Sequence, residues 1–397
     1  MSERTVKLSE LVGENLLEIG AGRPRSVDLD RYPLPILKVA DVLDGKIESS
    51  FQDYVSEACE QVMGLKISMP GDIVLTTKGT VGRVAIMPAE GPRFAYSPQL
   101  CYFRPDANGP LKPRYMYYWF KSVDFWKQAD ALKGQTDMAD FLSLGDIYSL
   151  KLRLPSLAQQ ASVVDILGAL DDKIAVNERI ASTMEELVLA VASSDRWERR
   201  VRLDEICALR KEQAAPQEMA DAWVDHYSLP AFDAGKSPER VSPMSIKSSK
   251  FVVFAPAVLL SKLNPDIPRI WDVEPTSGIP ALASTEFLVL GPRADLSTHE
   301  LWAVVAQKGF IEKLASKVTG TSKSHQRVRP AEVLATEVVD PRQFGTAGQR
   351  IQSMARRAAT ARAESRTLAA LRDTLLPQLM SGRLRVKDAE KIVEDQA

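Results

Sequence analysis

The chain repeats itself at a long period, and this constrains its fold more than any other feature. Pro70 and Pro256 stand 186 residues apart, as do Gly134 and Gly320, and Pro155 and Pro341. Around these anchors the same blocks follow in the same order. In the first half MPGDIVLTTKGTVGRVAIM (Met69 to Met87) precedes AYSPQLCYFRP, YMYYWFKSVDFWKQADALKGQT and LKLRLPSLAQQ. In the second, FAPAVLLSKLNPDIPRIWDV (Phe254 to Val273) precedes ALASTEFLVLGP, LWAVVAQKGFIEKLASKVTGTS and ATEVVDPRQFG. A fixed offset shared by several anchors marks a structural unit built twice. A chain of 397 residues has room for two such units.

Each half reads as strand, turn, strand, helix, loop, strand. ILKVADV, DIVLTT, RVAIM, LCYFRP, FVVFA, AVLLSKL and EFLVLGP are short β-rich runs bounded by Gly, Pro, Asn or Asp. YMYYWFKSVDFWKQADAL and THELWAVVAQKGFIEKLASKV carry apolar residues at helical spacing. Each globule is followed by a proline-free stretch, Leu157 to Trp197 and Gln343 to Leu376. In the first stretch Val163, Leu167, Leu170, Ile174, Asn177, Ala181, Met184, Val188 and Val191 alternate by four and three. In the second, Ile351, Met354, Ala358, Ala361, Ser365, Leu368 and Leu375 form a stripe of smaller residues, with Arg372 in the slot between the last two. A helix of about 35 residues is roughly 50 Å long. Neither stripe can be hidden by its own helix, so the two helices pack on each other or on their globules. Asn177 sits within the stripe, where a polar residue fixes register at a cost in stability. The expected fold class is α+β: two similar mixed α/β globules joined by two long antiparallel, coiled-coil-like helices with an internal pseudo-twofold. The expected boundaries are 1–155 and 199–341 for the globules, 156–198 and 342–382 for the helices, and 383–397 for a C-terminal tail whose end, Asp388 to Ala397, is net −3 and frayed.

Composition excludes several classes of function. No run of 18 apolar residues exists, and the N-terminus lacks the layout of a signal peptide, so the expectation is a cytoplasmic protein without membrane contact. Cys59, Cys101 and Cys207 lie far apart, as do His226, His299 and His325, which argues against a disulfide framework or a metal centre. No GxxxxGK(S/T), HExxH or GxSxG motif occurs. NLLEIGAGRP (Asn15 to Pro24) imitates the loop that cradles S-adenosylmethionine, but Pro24 stands where another glycine is expected. A self-sufficient DNA methyltransferase using Gly20 and Gly22, and a helical interaction protein that binds no DNA, are the alternatives carried forward.

The net charge of −1 hides an uneven distribution: Gln343 to Lys387 holds nine basic residues against Glu364 and Asp373. Such a run suits phosphate or is a solvated helix face. The candidate DNA contacts are polar turns carrying bases. In the first half they are Lys78, Thr80 and Arg83 between two strands, and Lys133, Gln135 and Thr136 after a helix. In the second they are Lys247, Lys250, Lys262, Asn264 and Arg269, with Thr321, Ser322, Lys323, Ser324, His325, Gln326 and Arg327. Arg, Lys, Asn and Gln pair with base edges, whereas Ser, Thr and Lys suit phosphate. Trp271 fits the core better than a stack beside the loop. A two-fold protein suits duplex DNA, where half-site spacing follows protein geometry.

These residues resemble the specificity subunits of type I restriction–modification enzymes. LRLPSLAQQASVVDILGALDDKIAVNERIASTMEELVLA is similar to that family's central region, LRDTLLPQLMSGRLRV to its C-terminal run, and GDIVLTTKGTVGRVA to the strand and turn of its target-recognition domains. LLSKLNPDIPRIW and TGTSKSHQRV resemble the pattern of many second domains. The resemblance implies a non-catalytic subunit whose two target-recognition domains read a split sequence on double-stranded DNA. Its helices would set the spacer and dock modification (methyltransferase) subunits, two per chain, with restriction (motor-nuclease) subunits completing the enzyme. S-adenosylmethionine, ATP and Mg²⁺ would be bound by those partners and none by this chain.

Overall fold

The computed structural model describes residues 4–22, 33–43, 45–47, 53–56, 66–132, 134–135, 140–318 and 326–394. They form two compact units. One comprises Met1–Ala175 and Arg366–Ala397, the other Val176–Ser365.

The first unit is built on a four-stranded antiparallel sheet in the order Leu17–Ala21, Leu100–Pro105, Ile73–Thr76, Val84–Ile86. The second unit repeats that order with Cys207–Arg210, Phe287–Pro292, Ala257–Ser261 and Ile270–Val273. A small ribbon closes each globule: Arg4–Lys7 pairs with Lys151–Leu154, and Arg200–Arg202 with Glu337–Val339. Each unit also holds a second sheet with one parallel pair, Pro33–Leu37 beside Ala95–Tyr96 and Val224–Tyr227 beside Ala281–Ala283. The duplicated blocks thus become duplicated topology.

One expectation needs correction in both halves. Where one helix was read, there are two: Pro113–Phe120 and Val123–Leu132 in the first unit, Thr298–Val305 and Lys308–Ala315 in the second. The break has a local cause in the first unit, where the buried Ser122 hydroxyl donates to the Trp119 carbonyl (2.7 Å) instead of letting the helix run on.

The long helices span Leu157–Ala192 and Thr346–Met380. The second runs through Pro377 to Met380. Gln160 ties the first to its globule. It is fully buried and satisfied: its Oε1 accepts from the Lys112 amide (2.9 Å), and its Nε2 donates to the carbonyls of Pro110 (2.7 Å) and Pro155 (2.9 Å). The tail expected to fray is instead a helix, Val386–Glu394, with Ala389 buried and Val386, Ile392 and Val393 packed on the first unit's core. Its apolar residues recur at helical spacing among the acids, and that amphipathic pattern outweighs the net negative charge.

Each long helix gives one half to each unit. In the first unit Leu167, Leu170, Leu368 and Leu375 enter the main core, with Ile174 packed against it. Arg372 meets Asp171, and Arg153 donates to the Met380 carbonyl (3.2 Å), so the helix halves run antiparallel. In the second unit Ala181, Ala358 and Ala361 allow close approach, with Met184 against them, while Ile351 and Met354 join the globule's core. Arg362 meets Glu185 and Phe344 packs at a tilt against Trp197, again antiparallel.

Candidate nucleic-acid interface

In each unit, two segments singled out separately in the sequence come together. The hairpin between Ile73–Thr76 and Val84–Ile86 is held from within: the Thr76 hydroxyl donates to the Thr80 carbonyl (2.5 Å) and accepts from the Arg83 amide (2.9 Å). Gly79 and Gly82 take positive φ, 82° and 96°, and a side chain at Gly82 would run into the Trp126 ring. This leaves Lys78, Gly79 and Thr80 exposed at the tip. Lys78 forms a backbone bridge with Phe141, and the Leu142 amide donates to the Thr77 carbonyl (3.0 Å). The tip therefore abuts the ribbon of Gly134–Gln135 and Asp140–Phe141.

The second unit makes the equivalent junction. Leu263 bridges Arg327, Asn264 donates its amide to the Gln326 carbonyl (2.8 Å), and Val328 donates to Lys262 (3.1 Å). Asn264 adopts the left-handed conformation there, φ 47°. Lys78 with Phe141 and Leu263 with Arg327 differ by 185 and 186 positions, so the same junction is built twice. Lys133, Thr136, Thr321, Ser322, Lys323, Ser324 and His325 lie outside the described residues; Gln135 falls within the short ribbon strand.

The candidate cations are in different electrostatic states. Lys78 and Lys247 are exposed, and Lys262 is half-buried. Arg83 is half-buried with Nη1 directed at the Val42 carbonyl (3.4 Å). Lys250 corrects the expectation of a surface base: only 8% exposed, it donates to the Ser248 carbonyl (2.9 Å) and hydroxyl (2.7 Å), and burial pushes its pKa down. Arg269 forks onto Asp233 (2.7 and 2.8 Å) with its side chain largely covered. Arg327 forks onto Glu286 (3.2 and 2.9 Å), which holds the Glu286 carboxyl below its ordinary range. Such bidentate pairs orient a guanidinium as well as offsetting its charge. Trp271 is buried.

The glycines of NLLEIGAGRP serve packing. Gly20 lies inside the strand Leu17–Ala21, and a Cβ there would strike the Tyr102 ring; one on Gly22 would strike the Tyr96 carbonyl. The two tyrosines stack (5.1 Å between centroids) over a buried polar network. Asp72, fully buried, accepts from Tyr96 Oη (2.7 Å) and forks with Arg104 (2.7 and 2.8 Å); Tyr102 Oη donates to Glu18 (2.7 Å). The space a cofactor loop needs is filled by aromatic rings. Sequence reasoning missed this network, although the Gly71–Asp72 pair at the strand's start was its signal. Among the described residues, no group of three or more His, Cys, Asp or Glu could hold a metal ion.

Sequence reasoning also missed two carboxylates on the first long helix. Asp171 accepts from Arg372 of the second helix (2.8 Å) and from Tyr118 Oη of its globule (2.7 Å). Glu185 accepts from Arg362 of the second helix and from Lys236 of its globule (3.1 Å). Burial alone would raise the Glu185 pKa, yet the Arg362 and Lys236 bonds bring it below the ordinary value. Between these two, Asn177 is fully buried, its amide without a partner among the described residues, and the Ser365 hydroxyl is likewise buried without one.

With this geometry in view, comparison with known proteins is direct. Residues 35–186 match the family described as the Type I restriction modification DNA specificity domain. This stretch is similar to a type I specificity domain. It begins at the second sheet of the first unit and ends within the first long helix. The chain is also 26% identical over 239 residues to the Type I restriction enzyme HindI specificity subunit of Haemophilus influenzae, covering 58% of this chain and 49% of that one. The match thus spans about half the length of that relative. A crystal structure of the type I restriction–modification S subunit from M. genitalium aligns over 96% of both chains with a TM-score of 0.53 at 13% identity, which shows a shared fold. The HsdS subunit of Thermoanaerobacter tengcongensis aligns over 96% of this chain and 97% of its own at 17% identity, with a TM-score of 0.35. No helix among the described residues is long and apolar enough to cross a membrane.

Proposed function

We propose that this chain is the sequence-reading subunit of a type I restriction–modification enzyme and performs no chemistry itself. The observation that carries the reading is the repeated junction, in which a polar hairpin tip abuts a second loop segment once in each unit. Residues 1–155 and 199–341 are the two target-recognition domains, and each reads one half of an interrupted target on double-stranded DNA. Lys78, Thr80 and Arg83, with Lys133, Gln135 and Thr136, serve the first half-site. Lys247, Lys262, Asn264 and residues 321–327 serve the second; Lys250 and Arg269 act from behind the surface, since both are engaged within the globule. The helices of 156–198 and 342–382 set the gap between half-sites and dock two modification subunits, and the tail of 383–397 includes the terminal helix Val386–Glu394. S-adenosylmethionine, ATP and Mg²⁺ belong to the modification and restriction partners, and the complex works in the cytoplasm.

The test is binding and methyl transfer with the isolated chain and with the chain assembled with its modification subunit. The assembly is expected to bind one duplex sequence in a salt-sensitive manner, because phosphate contacts release counterions. The isolated chain is expected to bind no S-adenosylmethionine. Cofactor binding by the chain alone would favour the methyltransferase alternative; sequence-independent behaviour of the assembly would end the proposal.

A further inference from the structure

Asp171 and Glu185 stand two heptads apart in sequence on the first long helix, and each bonds in two directions at once. One arm goes to an arginine of the second helix, Arg372 or Arg362; the other goes to the adjoining globule, Tyr118 or Lys236. Each unit therefore has one carboxylate at which both helices and the globule meet.

The surrounding packing gives such bonds a specific task. Apolar contacts are non-directional, and the helix contact in the second unit centres on three buried alanines, with Ile180 and Met184 at its margin. Charge-assisted hydrogen bonds do have direction, and they weaken as the geometry rotates. Lys236 reaches Glu185 from a left-handed residue, φ 56°, directly after Gly235, also at positive φ. A lysine seldom takes that conformation; here its amide donates to the Phe232 carbonyl (2.9 Å) and its ammonium to Glu185 (3.1 Å).

We propose that Asp171 and Glu185 are specificity-determining pins that lock each reading globule at one rotation on the helix pair and so restrict the enzyme to one spacer length. The proposal rests on the bipartite DNA-reading function above. Each added base pair turns the second half-site by roughly 35° about the duplex axis. A reader free to swivel on its helices accepts neighbouring spacers; a pinned one rejects them.

The experiment uses the chain assembled with its modification subunit and a panel of duplexes whose half-sites are constant and whose gap varies by single base pairs. Tyr118→Phe and Lys236→Met each cut only the globule arm, leaving the Asp171–Arg372 and Glu185–Arg362 pairs in place. The ratio of methylation at the preferred gap to that one base pair longer should fall about ten-fold in each variant, the weight of one hydrogen bond to a charged group. Discrimination within the half-sites should not change. Asp171→Asn is the companion that keeps the shape and weakens both arms, and it should broaden the gap further. An unaltered gap ratio in Tyr118→Phe and Lys236→Met, at whatever stability, would overturn the proposal, because a purely structural bond changes yield and melting but not spacing. A wild-type assembly with no preferred gap would instead remove the bipartite reading, and the pins with it.

Discussion

Lys78 and Arg327 lie on opposite sides of equivalent junctions and are held differently. Lys78 is an exposed point charge at a hairpin tip. Its replacement by alanine should weaken DNA binding equally for all sequences and reduce the salt slope by about one. Arg327 is oriented by Glu286. Arg327→Ala should cost about 1–3 kcal/mol and relax preference at one base pair of the second half-site. Anisotropy titrations at several salt concentrations, on matched and mismatched duplexes, separate the two behaviours. His299 offers a pH-dependent check on the second unit. Burial opposes its protonated form, but the bond to Asp272 prevails and raises its pKa above 6.5. The stabilisation is therefore complete below that value and is lost as pH rises through the folded pKa. Melting temperature should decline across that window, and His299→Gln should abolish the decline. The exposed bases were legible from residue type and turn position. The engagement of Arg269 and Arg327 was not, because Asp233 and Glu286 lie 36 and 41 residues away in the chain, and only the folded sheet brings them near.

At the scale of elements, the two long helices follow from their stripes. Leu167, Leu170, Leu368 and Leu375 are buried where four-and-three spacing puts them, and so are Ala181, Ala358 and Ala361. The failures were those of punctuation. The split of the first globule's helix involves the Ser122 side chain, which turns back onto the backbone, and periodicity does not register it. Asn177 is the element-scale prediction. Its buried amide has no partner among the described residues, and an unsatisfied buried polar group costs about 1–3 kcal/mol. Asn177→Leu should raise the melting temperature of the chain. If it lowers it, the amide is satisfied in solution, and its role is structural rather than one of setting register.

For the molecule as a whole, duplication is the fact from which the rest follows. Three anchors on one offset announced two copies of a fold, and the two four-stranded sheets share one strand order. What duplication cannot carry is the identity of the bases that the proposed readers would select, since the loop side chains differ between the halves: Lys-Gly-Thr in one, Lys-Leu-Asn-Pro in the other. On the proposed function, two different readers on one chain imply two different half-sites. The most direct test is single-molecule methylome sequencing of a host that carries this chain with its modification subunit, compared with the same host lacking the chain. The account predicts methylated adenines in a motif of two unlike blocks separated by a fixed unspecified gap, present only with the chain. A continuous motif, or a pattern unchanged when the chain is removed, would contradict it.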